Sequence, residues 1–180
     1  LGIRGHGDPI LVSEEWQKIA EKLSDLPAIP KKSNGLFFDT TLFEENIKIP
    51  GIKYSLNPYD ARIGALVVNF NTVYLQVDKN GVISSAEEQT PLTPLAKHLG
   101  KKLTSGTHRV SIPPDSGFAY AGELLQTIFL RHGLSFKNKK VSLRQVSSAG
   151  QLVYRHYNNL NLQDVIAGMM LYSNNFTANQ

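Results

Sequence analysis

The chain has 180 residues, 41% of them hydrophobic, and a net charge of +4. It is long enough to bury a core unaided, and its composition excludes a disordered or collagen-like chain. It has no cysteine, which excludes disulfide frameworks, zinc knuckles and thiol nucleophiles, and no apolar run approaches the ~18 residues of a membrane-spanning helix. The balance is compatible with an acidic partner, but basic residues come in pairs at most, as at Lys31-Lys32, Lys101-Lys102 and Lys139-Lys140, and form no stripe with interleaved aromatics of the kind that marks a nucleic-acid surface.

Leu1 to Arg4 reads as a strand. Gly5-His6-Gly7-Asp8-Pro9 is a turn signal, and Gly5-x-Gly7 lacks the third glycine and the following unit of a dinucleotide site. Ser13 is the expected N-cap of a helix over 14–25, with Glu14 and Glu15 in its first turn. Trp16, Ile19, Ala20 and Leu23 recur at helical spacing, and Pro27 and Pro30 close it. Leu36-Phe37-Phe38 reads as a short strand ending on Asp39. Residues 43–62, with Pro50-Gly51 and Asn57-Pro58, read as loop.

The β signal is strongest from Ile63 to Val77, where Val73, Leu75 and Val77 alternate with Thr72, Tyr74 and Gln76. Asp78-Lys79-Asn80-Gly81 is the turn of a hairpin. Residues 82–112 read as polar and turn-rich, with a strand at 107–112, and Pro113-Pro114 as a boundary. Tyr120, Leu124, Ile128 and Phe129 predict a helix over 118–131, stopped by His132-Gly133. Val141 to Val146 is an expected strand. Asn161 caps a helix ending at Tyr172, with Leu162, Val165, Ile166, Met169 and Met170 as its apolar stripe, expected in the core.

The five histidines are scattered, and no metal site, Walker motif or nucleophile elbow is present. Ser173-Asn174-Asn175 falls where one helix stops and another starts. Such a break lets Ser and Asn at i and i+2 face the same way, which a continuous helix forbids. Taken alone, the tripeptide also reads as a helix cap by Asn174 or Asn175, and Ser55-Leu56-Asn57 is a second one in a loop.

The ordered set of blocks is more specific. Arg4-Gly5-His6-Gly7-Asp8-Pro9, then Phe38-Asp39-Thr40-Thr41-Leu42-Phe43, then Ala65 to Val73, Tyr120-Ala121-Gly122 through His132-Gly133, Leu143-Arg144-Gln145 and Ser173-Asn174-Asn175 span nearly the whole chain. Together they resemble the class C low-molecular-mass penicillin-binding proteins, the D-alanyl-D-alanine carboxypeptidases and endopeptidases. The chain departs from the family at Asp60-Ala61-Arg62-Ile63-Gly64, at Ile52 and at Ala178-Asn179. It also holds neither the family's S-x-x-K nor its K-T-G; Thr104-Ser105-Gly106-Thr107 mimics the latter with Leu103 in place of Lys. Both motifs would flank this chain, whose abrupt ends suggest a middle piece of a longer protein.

The resemblance implies an α+β fold, with residues 1–116 a β-rich inserted region and 117–180 part of a transpeptidase- or β-lactamase-like catalytic domain. It implies serine-type acyl transfer on peptidoglycan stem peptides in the periplasm or cell envelope, acylation by β-lactams, and no cofactor or metal. A peripheral membrane or homo-oligomer contact is a further expectation. In it Ser173 relays a proton and Asn175 holds the peptide backbone, while Asp39 and Phe43 line the stem-peptide pocket. A turn-capping role is the alternative for Asp39. A non-catalytic envelope module binding peptidoglycan or a protein is the alternative for the whole, and an RNA-associated basic domain a weaker third.

Overall fold

The computed structural model describes residues 1–44, 47, 49–53, 55, 57 and 60–180, so the loop expected over 43–62 lies partly outside the described residues. The fold is α+β. Helices α1 (Ser13–Asp25) and α3 (Gly117–Arg131) pack on each other. Three small sheets surround them. Strands β1 (Gly2–Arg4), β3 (Phe37–Asp39) and β8 (Ser142–Leu143) run parallel in the order β1-β3-β8. Strand β2 (Lys32–Ser33) pairs in parallel with β7 (Ser135–Phe136). Strands β4 (Thr72–Val77), β5 (Ile83–Ser85) and β6 (Gly106–Ser111) form an antiparallel sheet with β4 in the centre. One apolar core takes Trp16, Ile19 and Leu23 from α1, Phe38 from β3, Leu75 from β4 and Leu124, Leu125, Ile128 and Phe129 from α3. It therefore runs across residues 116 and 117.

The strand expected over 63–77 forms over only its last six residues. Only Thr72–Val77 joins the ladder, because Asn69, Phe70 and Asn71 adopt φ of 52°, 56° and 51°. A left-handed turn of L-residues costs about 1–2 kcal/mol per residue, so it needs external support. Asn69 supplies it. Its Oδ1 accepts from the Ser13 backbone N at 2.9 Å, and its Nδ2 donates to Ser13 Oγ at 2.9 Å and Tyr120 Oη at 3.3 Å. Burial, only partly offset by that bond from Asn69, pushes the Tyr120 phenol up to about 12, so it is neutral at any physiological pH. Ser13 is consequently not the N-cap of α1. Val12 holds that position without a capping side chain, and the distant Asn69 satisfies an amide at the helix start instead.

Three other expectations need correcting. Residues 82–112 contain helix α2 (Pro94–Gly100). Its Thr93 cap accepts from Ala96 N, Pro94 takes the first helical position, and Glu123 of α3 accepts from Leu95 N; Thr93-Pro94 is a start signal that the polar composition masks. The strand expected over Val141 to Val146 is reduced to Ser142–Leu143, extended by an Arg144 N to Phe38 O bond. Helix α4 (Leu162–Tyr172) forms as expected, capped by Asn161 through the Asp164 amide, but none of its residues is buried. Met170 is 71% and Leu162 73% exposed, so the Met stripe is not core. Among the described residues no helix is long and apolar enough to cross a membrane.

Replacing Asn69 by Ala removes the partners of the Ser13 amide and the Tyr120 hydroxyl inside the core. Stranded buried polar groups cost about 1–3 kcal/mol each. Urea unfolding should show Asn69→Ala less stable by about 2–4 kcal/mol, whereas Asn80→Ala in the exposed hairpin turn should cost under about 1 kcal/mol.

Candidate functional site

Strand β3 ends on Asp39, whose side chain is fully buried. The carboxylate accepts from Thr41 N at 3.0 Å, Thr41 Oγ1 at 2.6 Å, Val146 N at 2.8 Å and Arg4 Nε at 2.8 Å. Burial acts to raise its pKa, but the bonds from Thr41, Val146 and Arg4 outweigh burial and hold the carboxyl well below its ordinary value. The bonds to Thr41 cap the turn after the strand. Those to Val146 and Arg4 tie together the turn, β1 and the chain leaving β8. Arg4 reaches the carboxylate from the solvent side, with its side chain 41% exposed.

The Gly5-x-Gly7 pair has a packing purpose. Gly5 N donates to Asp39 O, and Gly7 N to Ala65 O. A Cβ on Gly5 would lie 2.1 Å from Ala65 O, and Gly7 has φ of 75°. Only glycine lets these backbones approach so closely. A Cβ on Gly7 would also meet Phe43 Cζ at 2.4 Å and Gln180 Nε2 at 2.8 Å. Half-buried Phe43, from the turn after Asp39, thus sits beside the last residue of the chain.

Helix α4 stops at Ser173, which is exposed and left-handed, with φ 49° and ψ 45°. Asn174 is the N-cap of α5 (Asn175–Asn179), its Oδ1 accepting from Thr177 N at 3.1 Å. Exposed Asn175 is the first residue of that helix. The tripeptide therefore makes a corner, with its middle residue doing the capping and the outer two left to solvent. Two contacts fix the corner to the rest of the molecule. Phe176 is buried with Ala61 and Val67 and meets the Phe70 ring edge-on at 6.0 Å. The Gln180 carboxamide bridges Gly64, accepting from its N at 3.1 Å and donating to its O at 2.9 Å.

No family model matches this chain, and no curated protein matches it. A solved structure does: penicillin binding protein 4 from Haemophilus influenzae superposes with a TM-score of 0.71 at 21% identity, over 99% of this chain and 46% of that one. The fold is that of the middle segment of penicillin binding protein 4. This chain spans less than half of that protein. Within the penicillin binding protein 4 fold, the structure brings Phe43 to the end of the helix that Asn175 begins, through Gly7 and Gln180. It does not join the Asp39 carboxylate to Ser173 or Asn175, since Asp39 faces Arg4 and Val146. Sequence reading missed Arg4, Phe176 and Gln180 as positioning residues. Arg4 opens the block that runs to Pro9, and its charge is the signal of a counter-ion. Phe176 and Gln180 act across more than a hundred residues, and no local pattern signals such a pairing.

The depressed Asp39 pKa sets a pH signature. The carboxylate's contribution to stability is complete above its unfolded value near 3.8, and is lost as pH falls toward the lower folded value. The gap in unfolding midpoint between the native chain and Asp39→Asn should therefore be flat above about pH 5 and narrow progressively below about pH 4. A gap that widens in acid would contradict the hydrogen-bonding scheme.

Proposed function

We propose that the chain is part of a serine-type D-alanyl-D-alanine carboxypeptidase or endopeptidase of the cell envelope. It would act on peptidoglycan stem peptides and be acylated by β-lactams. The observation that carries this reading is the Ser173-Asn174-Asn175 corner, exposed at a helix break and anchored to the segment after Asp60, in a chain with the penicillin binding protein 4 fold. In this reading residues 1–116 belong to the inserted region and 117–180 to the catalytic domain, the two sharing one core.

The 180 residues contain no S-x-x-K and no K-T-G. A Ser hydroxyl barely ionises at neutral pH and needs a base beside it, so the nucleophile and its Lys would be supplied by the rest of the protein. The nucleophilic Ser would attack the carbonyl of the penultimate D-Ala. Ser173 would pass the released proton to the departing amine, and Asn175 would hydrogen-bond the peptide backbone. Phe43 and Asp39 would wall the pocket for the stem-peptide side chain. An amine in that pocket would meet a carboxylate already held by Arg4, so it would bind by displacing Arg4 from Asp39.

This 180-residue chain should remain unlabelled by a fluorescent penicillin, and a longer protein joining it to flanking S-x-x-K and K-T-G segments should label. In that longer protein Ser173→Ala should lower turnover of a D-Ala-D-Ala peptide about 10²–10⁴-fold with the melting temperature unchanged. A longer protein that folds but neither labels nor turns over would favour the non-catalytic envelope module instead. Labelling of this chain at Ser173 would make Ser173 itself the nucleophile.

A further inference from the structure

The positive charge of the chain is not spread evenly. Between Glu123 and Asp164 there is no acidic residue, while Arg131, Lys137, Lys139, Lys140, Arg144 and Arg155 all fall there. The stretch 26–38 is likewise free of acids and carries Lys31 and Lys32. The fold brings these two stretches together. Strand β2 pairs with β7, Asn138 N donates to Asn34 O at 3.0 Å, and Arg144 N to Phe38 O at 2.9 Å. Between them lies an open cleft of about 520 Å³, whose lining includes Lys32, Lys140 and Arg144 and, among the described residues, no Asp or Glu.

The cations there are unspent. Lys32, Lys140 and Arg144 enter none of the ion pairs among the described residues. They are also partly ordered in advance. The Arg144 guanidinium lies 4.4 Å from the centre of the Phe37 ring, and the Asn138 side chain accepts from Lys140 N at 3.0 Å and so fixes the turn that carries Lys140. The lining also presents short hydroxyl and amide groups from Ser33, Asn34 and Ser142. These both donate and accept. Phe37, the aromatic ring in the lining, is taken up by Gly2 on one contact and Arg144 on another. Among the described residues the cleft therefore lacks the open aromatic platform that single-stranded nucleic acids use.

We propose that this cleft binds an acidic saccharide, with its carboxylates on Lys32, Lys140 and Arg144 and its hydroxyls on the Ser and Asn side chains. The site lies apart from the Ser173–Asn175 corner and does not depend on a peptidase reaction. Three cations with no acid among the described lining residues match a ligand that carries several carboxylates on a polyol backbone, and charge-assisted hydrogen bonds give the recognition its strength.

The test is calorimetric titration of the 180-residue chain with hexagalacturonate as the probe, beside its fully methyl-esterified form and an oligo-dT of equal charge. Saturable binding of the free acid, absent for the ester, is expected. Lys32→Gln/Lys140→Gln/Arg144→Gln should weaken it roughly tenfold or more, while Lys79→Gln/Lys101→Gln/Lys102→Gln, with the same loss of net charge on other surfaces, should leave it within about twofold. If the cleft triple variant fails to fold by circular dichroism, Lys32→Glu/Lys140→Glu keeps Arg144 on Phe37 and should abolish binding. Equal weakening by both triple variants would overturn the proposal in favour of net charge alone. Tighter, cleft-dependent binding of oligo-dT would overturn it in favour of nucleic acid. No binding of hexagalacturonate at all would overturn it outright.

Discussion

The carboxamide of Asn69 touches the start of α1 through Ser13 and the inner face of α3 through Tyr120, while its own backbone turns left-handed into β4. Three elements distant in sequence thus meet on one buried side chain. The turn is costly for asparagine and more so for Phe70, and it persists because every polar atom of that carboxamide is used. Neighbouring Asn71 extends the pattern, its Nδ2 donating to Arg62 O at 2.9 Å and its O accepting from Ile112 N at 2.8 Å. The two asparagines fix both where β4 begins and where the segment 60–68 lies beside them.

That placement governs the candidate site. Segment 60–68 carries Ala65, on which Gly7 hydrogen-bonds, and Gly64, which the Gln180 carboxamide grips. The Ser173 corner, the Phe43 turn and the Gly5-x-Gly7 crossing therefore converge on one length of backbone. Helix α4 contributes little to this anchoring, because its apolar face is exposed. The corner is held from its far side, by Phe176 and Gln180. Asp39 is a knot between β1, β3 and the chain after β8, and its burial and full set of partners make it a structural carboxylate before it is anything else.

Much of the architecture was legible because it is local. The spacing of Trp16, Ile19 and Leu23 places α1, Tyr120 to Phe129 places α3, and the Asn-Gly turn places the β4–β5 hairpin. The corner at 173–175 was legible too, since Asn161 and Asn174 stand where capping side chains belong. What the pattern hid is long-range. The run Ala65-Leu66-Val67-Val68 has strand composition, yet it is buried as irregular chain because the Asn69–Asn71 turn intervenes. Ser13 has the chemistry of a cap but gives its backbone N–H to Asn69, 56 residues away in sequence. The Met pair at 169–170 follows helical spacing, and periodicity states which residues share a face without stating whether anything covers it. Of the site, the residues of the resemblance were nameable, but the clamp that positions them was not.

The Ser173–Asn175 corner is attached to the segment after Asp60 through Gln180 and Phe176. Native-state hydrogen exchange reads this directly at the Gly64 amide, whose acceptor is the Gln180 side chain. Gly64 N–H should be protected in the native chain and exchange freely in Gln180→Ala, while the amides of β4 keep their protection in both. A Gly64 amide that exchanges at the rate of an open loop in the native chain, or one that is indifferent to Gln180→Ala, would contradict it.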